Sequence, residues 1–563
     1  TTGSILSSRL VAGLLGRAVD DPELRGYAGS LRPAEWDTVR TSQSVRRTLG
    51  SAAAHWTPRA WVTVGGSFGI DHVDMDELVH DYETEPGVGG RGHLTGTRRR
   101  VRRDAEGFAR LEYGAPGGLR LASTLGVERH SARSRQASRF GPLQEDPSIE
   151  SYARVRQRTV AAYGRQGIAW RDRLFASATV RRDEEKDREP LHSGALGASW
   201  ELVKRSAPGT SWMDGLRLRA AYARAEREPE LGLDFAFVPV QCTNLNPCDR
   251  DPLVPQRHAE VEGGVDATLL GGRVDVSLTG YDRTTRDVLG QRMPTAGLLN
   301  EGRVVNRGVE ARARVGAPPA ARFFWEVVGT GALNRNRLED FELGPFFASG
   351  FDQRHAEGRP LGSFYGRRIT GFADLDGDGI IGGEGCDTFG SPACEVRLSA
   401  EVEYLGSPDP TRMLSLQGRT RARGVEIYAL LEHQGGASRA NLTEEVRCGF
   451  FIVCRGALDP STPLAEQARV TALIFTDHLP VENAGFTRLR EAAVTVAIPQ
   501  RWARRFGGRG VELTVAGRNL ATWTGFTGLD PETANAAQNP FEFRDFFGQP
   551  LPRTITTRLD VTF

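Results

Sequence analysis

The sequence predicts an all-β fold: a large antiparallel transmembrane β-barrel with long extracellular loops, of which roughly 18 to 20 of about 22 strands are present. Three observations support this prediction. Apolar and polar residues alternate through repeated segments of about 8 to 14 residues. The 563 residues contain no apolar run of about 18 residues that could cross a bilayer as a helix. Long loop-like stretches alternate with short turns, as in outer-membrane barrels.

The composition is compatible with a barrel and argues against a nucleic-acid partner. Hydrophobic residues make up 39% of the chain and charged residues 25%, and the mean hydropathy is -0.38. Barrel strands have a low average hydropathy because they alternate, so this value does not indicate solubility. The 72 basic and 71 acidic side chains nearly cancel, and no extended basic face interleaved with aromatic residues is present.

The segment GRVDVSLTGYD shows the alternation most clearly. Val274, Val276 and Leu278 fall on one face of a strand, with Asp275 and Ser277 on the other. Other segments divide in the same way: 216–222, 309–315 and 511–515. The apolar faces are rich in Ala, Gly and Val, which suits a lipid-facing exterior and a wet lumen better than the packed core of a soluble sandwich.

The chain is predicted to consist of a connecting loop over residues 1–43 and a barrel over 44–563. Long loops are expected at 227–256, 335–394 and 434–466, with short turns at Gly271-Gly272 and Pro318-Pro319. The last segment, TITTRLDVTF, is an amphipathic strand that ends on the aromatic Phe563. Such an ending is similar to the signal that the outer-membrane insertion machinery reads.

The six cysteines fall into three close pairs, each inside a loop-like stretch. Local pairing predicts three small disulfides and an oxidising compartment. Metal binding or free thiols are the alternative, although the spacings exceed the C-x2-C of zinc sites. The pairs are Cys242 with Cys248, Cys386 with Cys394, and Cys448 with Cys454.

The motif DLDGDG is a candidate calcium loop. Asp374, Asp376 and Asp378 occupy positions 1, 3 and 5 of an EF-hand-like loop, and Ile380 offers a carbonyl at position 7. Position 12, where a bidentate Glu is expected, is Gly385. Calcium binding therefore stands beside the alternative of an aspartate-rich loop that turns without a metal, and no cofactor other than calcium is indicated.

The sequence offers no catalytic constellation, so an enzyme is not expected. GGSFG places Ser67 in a G-x-S-x-G pattern, but inside a strand and without the helix that a nucleophile elbow requires. The ten histidines are scattered and include no H-E-x-x-H pair.

Eight segments between 174 and 563 resemble, in order and spacing, the barrel of SusC/RagA-type TonB-dependent receptors, and 44–173 resembles earlier barrel strands weakly. The segments are LFASATVRRD (174–183), GLRLRAAYA (215–223), NEGRVVNRGVEARARV (300–315), PLGSFYG (360–366), DLDGDGII (374–381), YLGSPDP (404–410), GFTRLREAAVTVAIP (485–499) and GRNLATWTGFTGLDPE (517–532).

The resemblance implies an outer-membrane protein, surrounded by lipid, that actively imports bulky nutrients such as oligosaccharides or peptides. It also implies a SusD-like surface lipoprotein as a partner and contact with the TonB complex through an N-terminal plug. The plug and the TonB box are not found in this sequence, and we expect them and the first few barrel strands to lie outside it. A passive porin-like or adhesin barrel is one alternative, and a soluble secreted β-rich binding or glycan-cleaving protein is another.

Overall fold

The computed structural model describes residues 40–83, 91–142, 149–185, 188–204, 212–227, 254–292, 297–317, 321, 323–341, 346–349, 353–386, 390–476, 478–533, 544–548 and 550–562. The predicted connecting loop, 1–43, lies almost wholly outside these residues, and the first described strand begins at Arg40. Cys242, Cys248 and Phe563 also lie outside them.

The described residues form twenty-eight strands. The first fourteen are β1 (Arg40–Arg59), β2 (Val62–Glu83), β3 (Arg91–Ala115), β4 (Leu119–Pro142), β5 (Ile149–Trp170), β6 (Leu174–Glu185), β7 (Leu191–Val203), β8 (Met213–Arg227), β9 (Gln256–Leu269), β10 (Val274–Arg286), β11 (Leu289–Arg292), β12 (Gly297–Asn300), β13 (Arg303–Gly316) and β14 (Phe324–Glu339). The others are β15 (Phe346–Ser349), β16 (Gln353–His355), β17 (Ser363–Gly366), β18 (Ile369–Phe372), β19 (Val396–Leu398), β20 (Glu403–Gly406), β21 (Arg412–Ala422), β22 (Val425–Gly435), β23 (Ser438–Asn441), β24 (Val481–Asn483), β25 (Phe486–Ile498), β26 (Gly510–Thr524), β27 (Arg544–Asp545) and β28 (Thr554–Thr562).

Helices are few and short. They are α1 (Leu442–Glu444), α2 (Arg455–Leu458), α3 (Leu464–Phe475) and α4 (Gln500–Ala503), with a π-helical turn at Glu445–Phe450 and a 3-10 turn at Arg504–Phe506. Within the described ranges, no helix has both the length and the apolar character needed to cross a membrane.

Seventeen strands belong to one large sheet, which confirms the predicted antiparallel all-β fold class. They are β1 to β10, β13, β14, β21, β22, β25, β26 and β28. In the registers that are described, each sheet strand pairs antiparallel with the next sheet strand along the chain. Such a meander places successive connections at alternate ends of the strands.

The chain divides into two compact units. The first comprises Thr1–Ala198, Tyr222–Gln241 and Val254–His258, and the second comprises Ser199–Ala221, Cys242–Leu253 and Ala259–Phe563. In the first unit, short turns at 60–61, 116–118 and 171–173 lie at one strand end, and the longer connections 84–90, 143–148 and 186–190 lie at the other.

The strands of the first unit have one apolar and one polar face. In β4, Leu125 and Val127 lie on the apolar face, whereas Glu128 and His130 lie on the polar face. The polar face carries a cavity of about 240 Å³ that Asp104, Glu106, Glu128 and His130 help to line. The apolar face exposes its large side chains instead, and Leu125 keeps 69% of its surface accessible. This division is the one expected for a lumen and a lipid-facing exterior.

The second unit has the same asymmetry of connections on a larger scale. Its shorter connections are 270–273, 317–323, 423–424 and 499–509, and the connections at the other strand end, of 16 residues or more, are 287–302, 340–411, 436–485 and 525–553. The long connections hold most of the fully buried side chains, including Phe364, Gln353, Asn441 and Asp545. The packed core of this unit therefore lies largely in its loops.

Candidate functional site: the long-loop cluster

The described residues of three long connections of the second unit, 340–411, 436–485 and 525–553, pack together, and we call them the long-loop cluster. Helix α3 lies at its centre and is buried on two sides. On one side, Ala468 and Ala472 contact Ile381 and Val396. On the other, Val470 and Leu473 contact the segment that contains the π-helical turn. The cluster is thus a small domain with its own cores rather than a set of independent loops.

A disulfide packs in the core on each side of α3. Cys386 is bonded to Cys394 in the core that contains Ala468, and Cys448 is bonded to Cys454 in the core that contains Val470. These are two of the three pairs that the sequence predicts, and the third pair lies outside the described residues. Both bonds close short loops against the helix, which restricts the cluster further.

Helix α3 also forms hydrogen bonds with Ile381, in the segment that follows the DLDGDG motif. The Gln467 side chain accepts a hydrogen bond from the Ile381 N–H at 3.0 Å, and the Thr471 hydroxyl donates to the Ile381 carbonyl at 2.6 Å. The Gln467 amide nitrogen donates to the carbonyl of Thr462 at 2.8 Å. Both backbone groups of Ile381 are therefore satisfied by the helix, and the acidic motif is mounted on a buried support.

The structure brings the three predicted calcium ligands together. Asp374, Asp376 and Asp378 place one carboxylate oxygen each within 4.8 Å of one another. Asp374 accepts hydrogen bonds from the N–H groups of Gly377 at 2.7 Å and Gly379 at 2.9 Å. These bonds, that of Gly379 first, hold the pKa of Asp374 below its usual range. Both glycines have positive φ angles, which other residues rarely adopt.

The twelfth position of the motif has no room for a glutamate. Gly385 has a φ of +73°, and a Cβ on it would lie 2.7 Å from the Ala393 side chain. Buried Glu395 instead closes the base of the loop, because its carboxylate accepts hydrogen bonds from the N–H groups of Leu375 and Gly382 at 2.6 Å each. Ile380, whose carbonyl is the predicted ligand at position 7, is 39% exposed. The loop therefore offers three carboxylates on a preformed turn and lacks the usual bidentate ligand.

A buried ionic network joins the long-loop cluster to strand β25. Arg488 is 2% exposed and donates to Asp530 at 2.7 Å, to Glu532 at 2.6 Å and to the Thr522 hydroxyl at 2.9 Å. Arg490 bonds Glu532 as well. A buried guanidinium needs several partners of this kind to offset its lost hydration. The network fixes the segment around Asp530 to the strand.

A second polar network joins the connections to one another. The amide nitrogen of buried Asn441 donates to Glu482 at 3.0 Å and to the Thr527 hydroxyl at 3.1 Å. Strand β23 pairs in parallel with the two-residue β27, which contains Asp545. Burial raises the pKa of Asp545. Three segments that are far apart in sequence are therefore held by hydrogen bonds around one asparagine.

The strands of the second unit carry a large polar cavity of about 960 Å³. Its lining comes from β8, β9, β10, β13, β14, β21 and β22 and carries both signs of charge. The polar lining includes Arg219, Glu260, Glu262, Tyr281, Arg283, Asn306, Glu310, Arg312, Asn334, Glu432 and Gln434. The predicted alternation is observed here, because Ser277 pairs with Arg312 on this face and Val276 pairs with Ala313 on the other.

Ser67 lies in the middle of β2, as predicted, and pairs across the sheet with Glu106. His130, on the same face, makes contacts through both ring nitrogens, with Asp104 at 2.8 Å and with Glu128 at 3.1 Å. The G-x-S-x-G match is therefore part of a strand and not of a turn.

Sequence reasoning did not identify Arg488, Asp530, Glu395, Gln467 or Asn441 as parts of the site. A signal exists for the first two, because GFTRLREAAVTVAIP carries two arginines of equal phase in a strand and GLDPE follows the next strand. Asn441 has a local signal as the N-cap of α1, because its side chain accepts a hydrogen bond from the Glu444 N–H. The contacts of Glu395 and Gln467 with the acidic loop have no local signature, since their partners there are 13 to 86 residues away.

The fold and these connections define a large antiparallel barrel protein of the outer membrane. The family described as "TonB dependent receptor-like, beta-barrel" matches residues 8–363. This match covers more than half of the chain, and the protein belongs to that family. Its members are receptors and transporters rather than enzymes, and they reside in the outer membrane. The assignment favours a receptor over a passive porin or an adhesin.

Curated relatives and solved structures agree with this assignment. "TonB-dependent receptor P3" of Formosa agariphila is 24% identical over 469 residues, 72% of this chain and 45% of that protein. "TonB-dependent receptor P26" of the same organism is 22% identical over 461 residues, 71% and 46% respectively. The chain thus spans about half the length of these curated relatives.

The structure of the RagAB peptide transporter has a TM-score of 0.75 at 14% identity, covering 94% of this chain and 63% of that chain. The RagAB peptide importer in its "open-open" state has a TM-score of 0.73 at 15% identity, covering 94% and 62%. At these identities the likeness shows the shared barrel fold.

Proposed function

We propose that this chain is the barrel of an outer-membrane receptor that imports bulky nutrients with energy delivered through TonB, and that peptides are favoured over oligosaccharides. The observation that carries the proposal is the polar cavity of about 960 Å³ in the second unit. Its volume lies at the upper end of the usual range for ligand sites, which suits an oligomer better than a single small metabolite.

The chemistry of the lining favours a peptide. Carboxylates, guanidinium groups and amides alternate there, and these groups can pair with peptide N–H and C=O groups and with charged termini. Tyr281 supplies the one phenol ring among the lining residues, so there is little aromatic surface on which sugar rings would pack. The RagAB proteins of similar fold are described as a peptide transporter and importer.

The proposal includes two partners of the complete receptor. A SusD-like surface lipoprotein would bind the long-loop cluster, which offers a rigid surface at the extracellular strand end. Contact with TonB would be made through the plug that the family resemblance implies. Both partners are proposed from the family and from the resemblance in the sequence.

The test uses the full-length receptor in the bacterium that encodes it. Deletion of the gene should abolish uptake of labelled peptides of about ten residues, and complementation should restore it. Loss of TonB should abolish uptake even when the receptor is present. Arg312→Gln, in the cavity lining, should raise the KM for uptake about tenfold, because one charge-assisted hydrogen bond is lost. Arg307→Gln, on the opposite face of β13, is the matched control and should leave uptake unchanged.

Three outcomes would revise the proposal. Uptake that survives loss of TonB and a protonophore would indicate a passive porin. Uptake of oligosaccharides in place of peptides would change the cargo class. Equal effects of Arg312→Gln and Arg307→Gln would remove the cavity from the transport path.

Calcium binding by Asp374, Asp376 and Asp378 stays a prediction, supported by the closeness of their carboxylates. Calorimetric titration of the receptor with Ca²⁺ should give heat that Asp376→Asn reduces at least about tenfold, since one anionic ligand is lost. Asp459→Asn, in an exposed turn of the same cluster, is the control and should titrate like the unaltered protein. Equal heats in both variants would leave the loop as a metal-free turn.

A further inference from the structure

The apolar face of the first unit changes its chemistry near the strand end that carries the longer connections. On β5, Trp170, Ile168 and Val160 mark the apolar part of this face. Beyond Val160, the same face carries only arginines until Tyr152. Neighbouring strands β3 and β4 carry arginines in some of the same rows, and we call the resulting group the arginine patch. It consists of Arg99, Arg133, Arg135, Arg154, Arg156 and Arg158.

The strand register places these arginines directly beside one another. Arg99 pairs with Arg135, and Arg135 pairs with Arg154 on the next strand. One step towards the apolar band, Arg133 pairs with Arg156. Strands in a sheet are about 4.8 Å apart, so the two cross-strand sets, Arg99–Arg135–Arg154 and Arg133–Arg156, bring like charges together, whereas Arg158 pairs with Ser131. Such pairs destabilise a sheet unless an anion lies between them.

The patch has almost no counter-charge within the protein. Asp74 on β2 lies 3.7 Å from Arg99. In the part of the chain that the structure describes, the other five arginines make no side-chain hydrogen bond or ion pair. On the polar face, by contrast, Arg102 is paired with Asp104, and Arg181 of β6 is paired with Glu128 and Asp183. Among the described residues, the patch is therefore a group of neighbouring arginines with a single carboxylate, Asp74, in ion-pair contact.

The patch faces away from the lumen. Cross-strand neighbours share a face, and the patch lies in phase with Leu125 and Val127 on β4. Arg98, Arg100 and Arg102 have the opposite phase and lie on the polar face, where Arg98 donates to Gln136. The run of arginines in β3 is thus divided between two surfaces, and imported cargo would meet only the polar one.

The height of the patch identifies the anion. The longer connections of outer-membrane barrels lie outside the cell, so the patch lies at the outer leaflet, next to the apolar band. Arg158 to Arg154, measured from Val160, extend about 20 Å along β5, or about 15 Å along the membrane normal at the usual strand tilt. A phospholipid headgroup layer is only about 5 to 8 Å thick.

We propose that the arginine patch binds the phosphate groups of a phosphorylated glycolipid of the outer leaflet, of the lipopolysaccharide class. Its acyl chains lie along the apolar face that contains Leu125 and Val127. Its lipid phosphates reach the row of Arg158, and phosphates on its sugar core reach the rows of Arg156 and Arg154. Several phosphates held by one rigid sugar scaffold match three rows of arginines on one rigid sheet.

The experiment measures the affinity of the full-length receptor, in non-ionic detergent with EDTA, for rough lipopolysaccharide that carries a phosphorylated core. The variant Arg135→Gln/Arg154→Gln/Arg156→Gln should bind on the order of 100-fold more weakly at 0.15 M salt, because each basic side chain near an anionic surface contributes about fivefold. The control Arg98→Gln/Arg100→Gln/Arg102→Gln removes the same charge from the polar face and should change the affinity less than about threefold.

Further arms use the unaltered receptor, so the result does not depend on the folding of a variant. Enzymatic removal of the phosphates from the glycolipid should reproduce the loss and abolish its dependence on salt. Four results would overturn the proposal: equal loss in both triple variants, undiminished binding of the dephosphorylated glycolipid, full competition by millimolar inorganic phosphate, or equal affinity for phosphatidylglycerol vesicles.

Discussion

In the second unit, loss of a partner costs a buried ionic group more free energy than it costs an exposed one. Arg488 is enclosed and bonded to Asp530, whereas Arg518, on the neighbouring strand, meets Glu491 with 64% of its side chain exposed. Burial removes the water that would replace a lost partner, so the two pairs differ in what their removal costs. This difference allows the attachment of one loop to be tested with single substitutions.

Arg488→Met should detach the segment 525–533 from β25. Asp530 is 4% exposed, and an unpaired carboxylate in such a place costs about 3 to 5 kcal/mol. We expect much faster hydrogen exchange and proteolysis in this segment, with the strands of the sheet unaffected. Arg518→Met, the exposed control, should cost at most about 1 kcal/mol. Adding Asp530→Asn to Arg488→Met should recover part of the protection; if it recovers none, the unpaired charge is not the cause.

The burial of His355 predicts that the stability of the segment around it depends on pH. It is buried, and its Nδ1 accepts a hydrogen bond from the Gly362 N–H at 3.2 Å. Burial lowers its pKa from 6.5 to about 4. The unfolded segment takes up a proton near pH 6.5, and the folded segment does so only near pH 4. The stability is therefore complete above pH 6.5 and declines by about 3 kcal/mol as the pH falls to 4.

Hydrogen exchange of residues 353–364 at several pH values, corrected for intrinsic rates, measures this effect. His355→Gln retains an acceptor and has no proton to take up, so its exchange should depend little on pH over the same range. His478, whose pKa is also lowered by burial, is present in both proteins and cancels in the comparison. An equal pH dependence in the two proteins would exclude His355 as its source.

Long strands were predictable at the scale of the element, and the structure of the loops was not. The segment GRVDVSLTGYD becomes β10 with its two faces as predicted, because alternation over ten or more residues leaves little choice of register. Strands β16 to β20 contain three or four residues each, too few for a period to be recognised. Their burial comes from distant segments, as with Ile381 against Ala468. Residues 335–394 and 434–466 were therefore predicted as irregular loops, although they contain strands and helices.

Removal of each disulfide should loosen a different side of α3. Cys386→Ala/Cys394→Ala should destabilise the acidic loop by about 2.5 kcal/mol, and Cys448→Ala/Cys454→Ala should have a similar effect on the π-helical turn. The effects should be local, because the two disulfides pack in separate cores on opposite sides of the helix. Hydrogen exchange at 374–386 and at 444–454 distinguishes the two. If each variant exposes both segments equally, the helix unfolds as one unit with its surroundings.

The first unit exposes large apolar side chains on one face and gathers bonded polar networks on the other, which is the reverse of a soluble protein. Leu125, Val127 and Ile168 of the first unit are accessible on one face. The other face pairs Tyr163 with Glu106 and Arg181 with Glu128. A soluble β-rich protein, the remaining alternative from the sequence, would have to cover the apolar face with protein.

Leu125→Arg tests which solvent the apolar face meets. Leu125 pairs with Ala109 and Gly164 in the middle of the apolar band, where an arginine costs a transmembrane barrel about 2 to 4 kcal/mol. Ala122→Arg lies on the polar face beside Glu112 and should be nearly neutral. Urea unfolding from lipid vesicles, followed by the mobility shift of folded barrels in gels, measures both. If Leu125→Arg folds as stably as Ala122→Arg, and remains dispersed without detergent, this face meets water and the membrane assignment of the first unit fails.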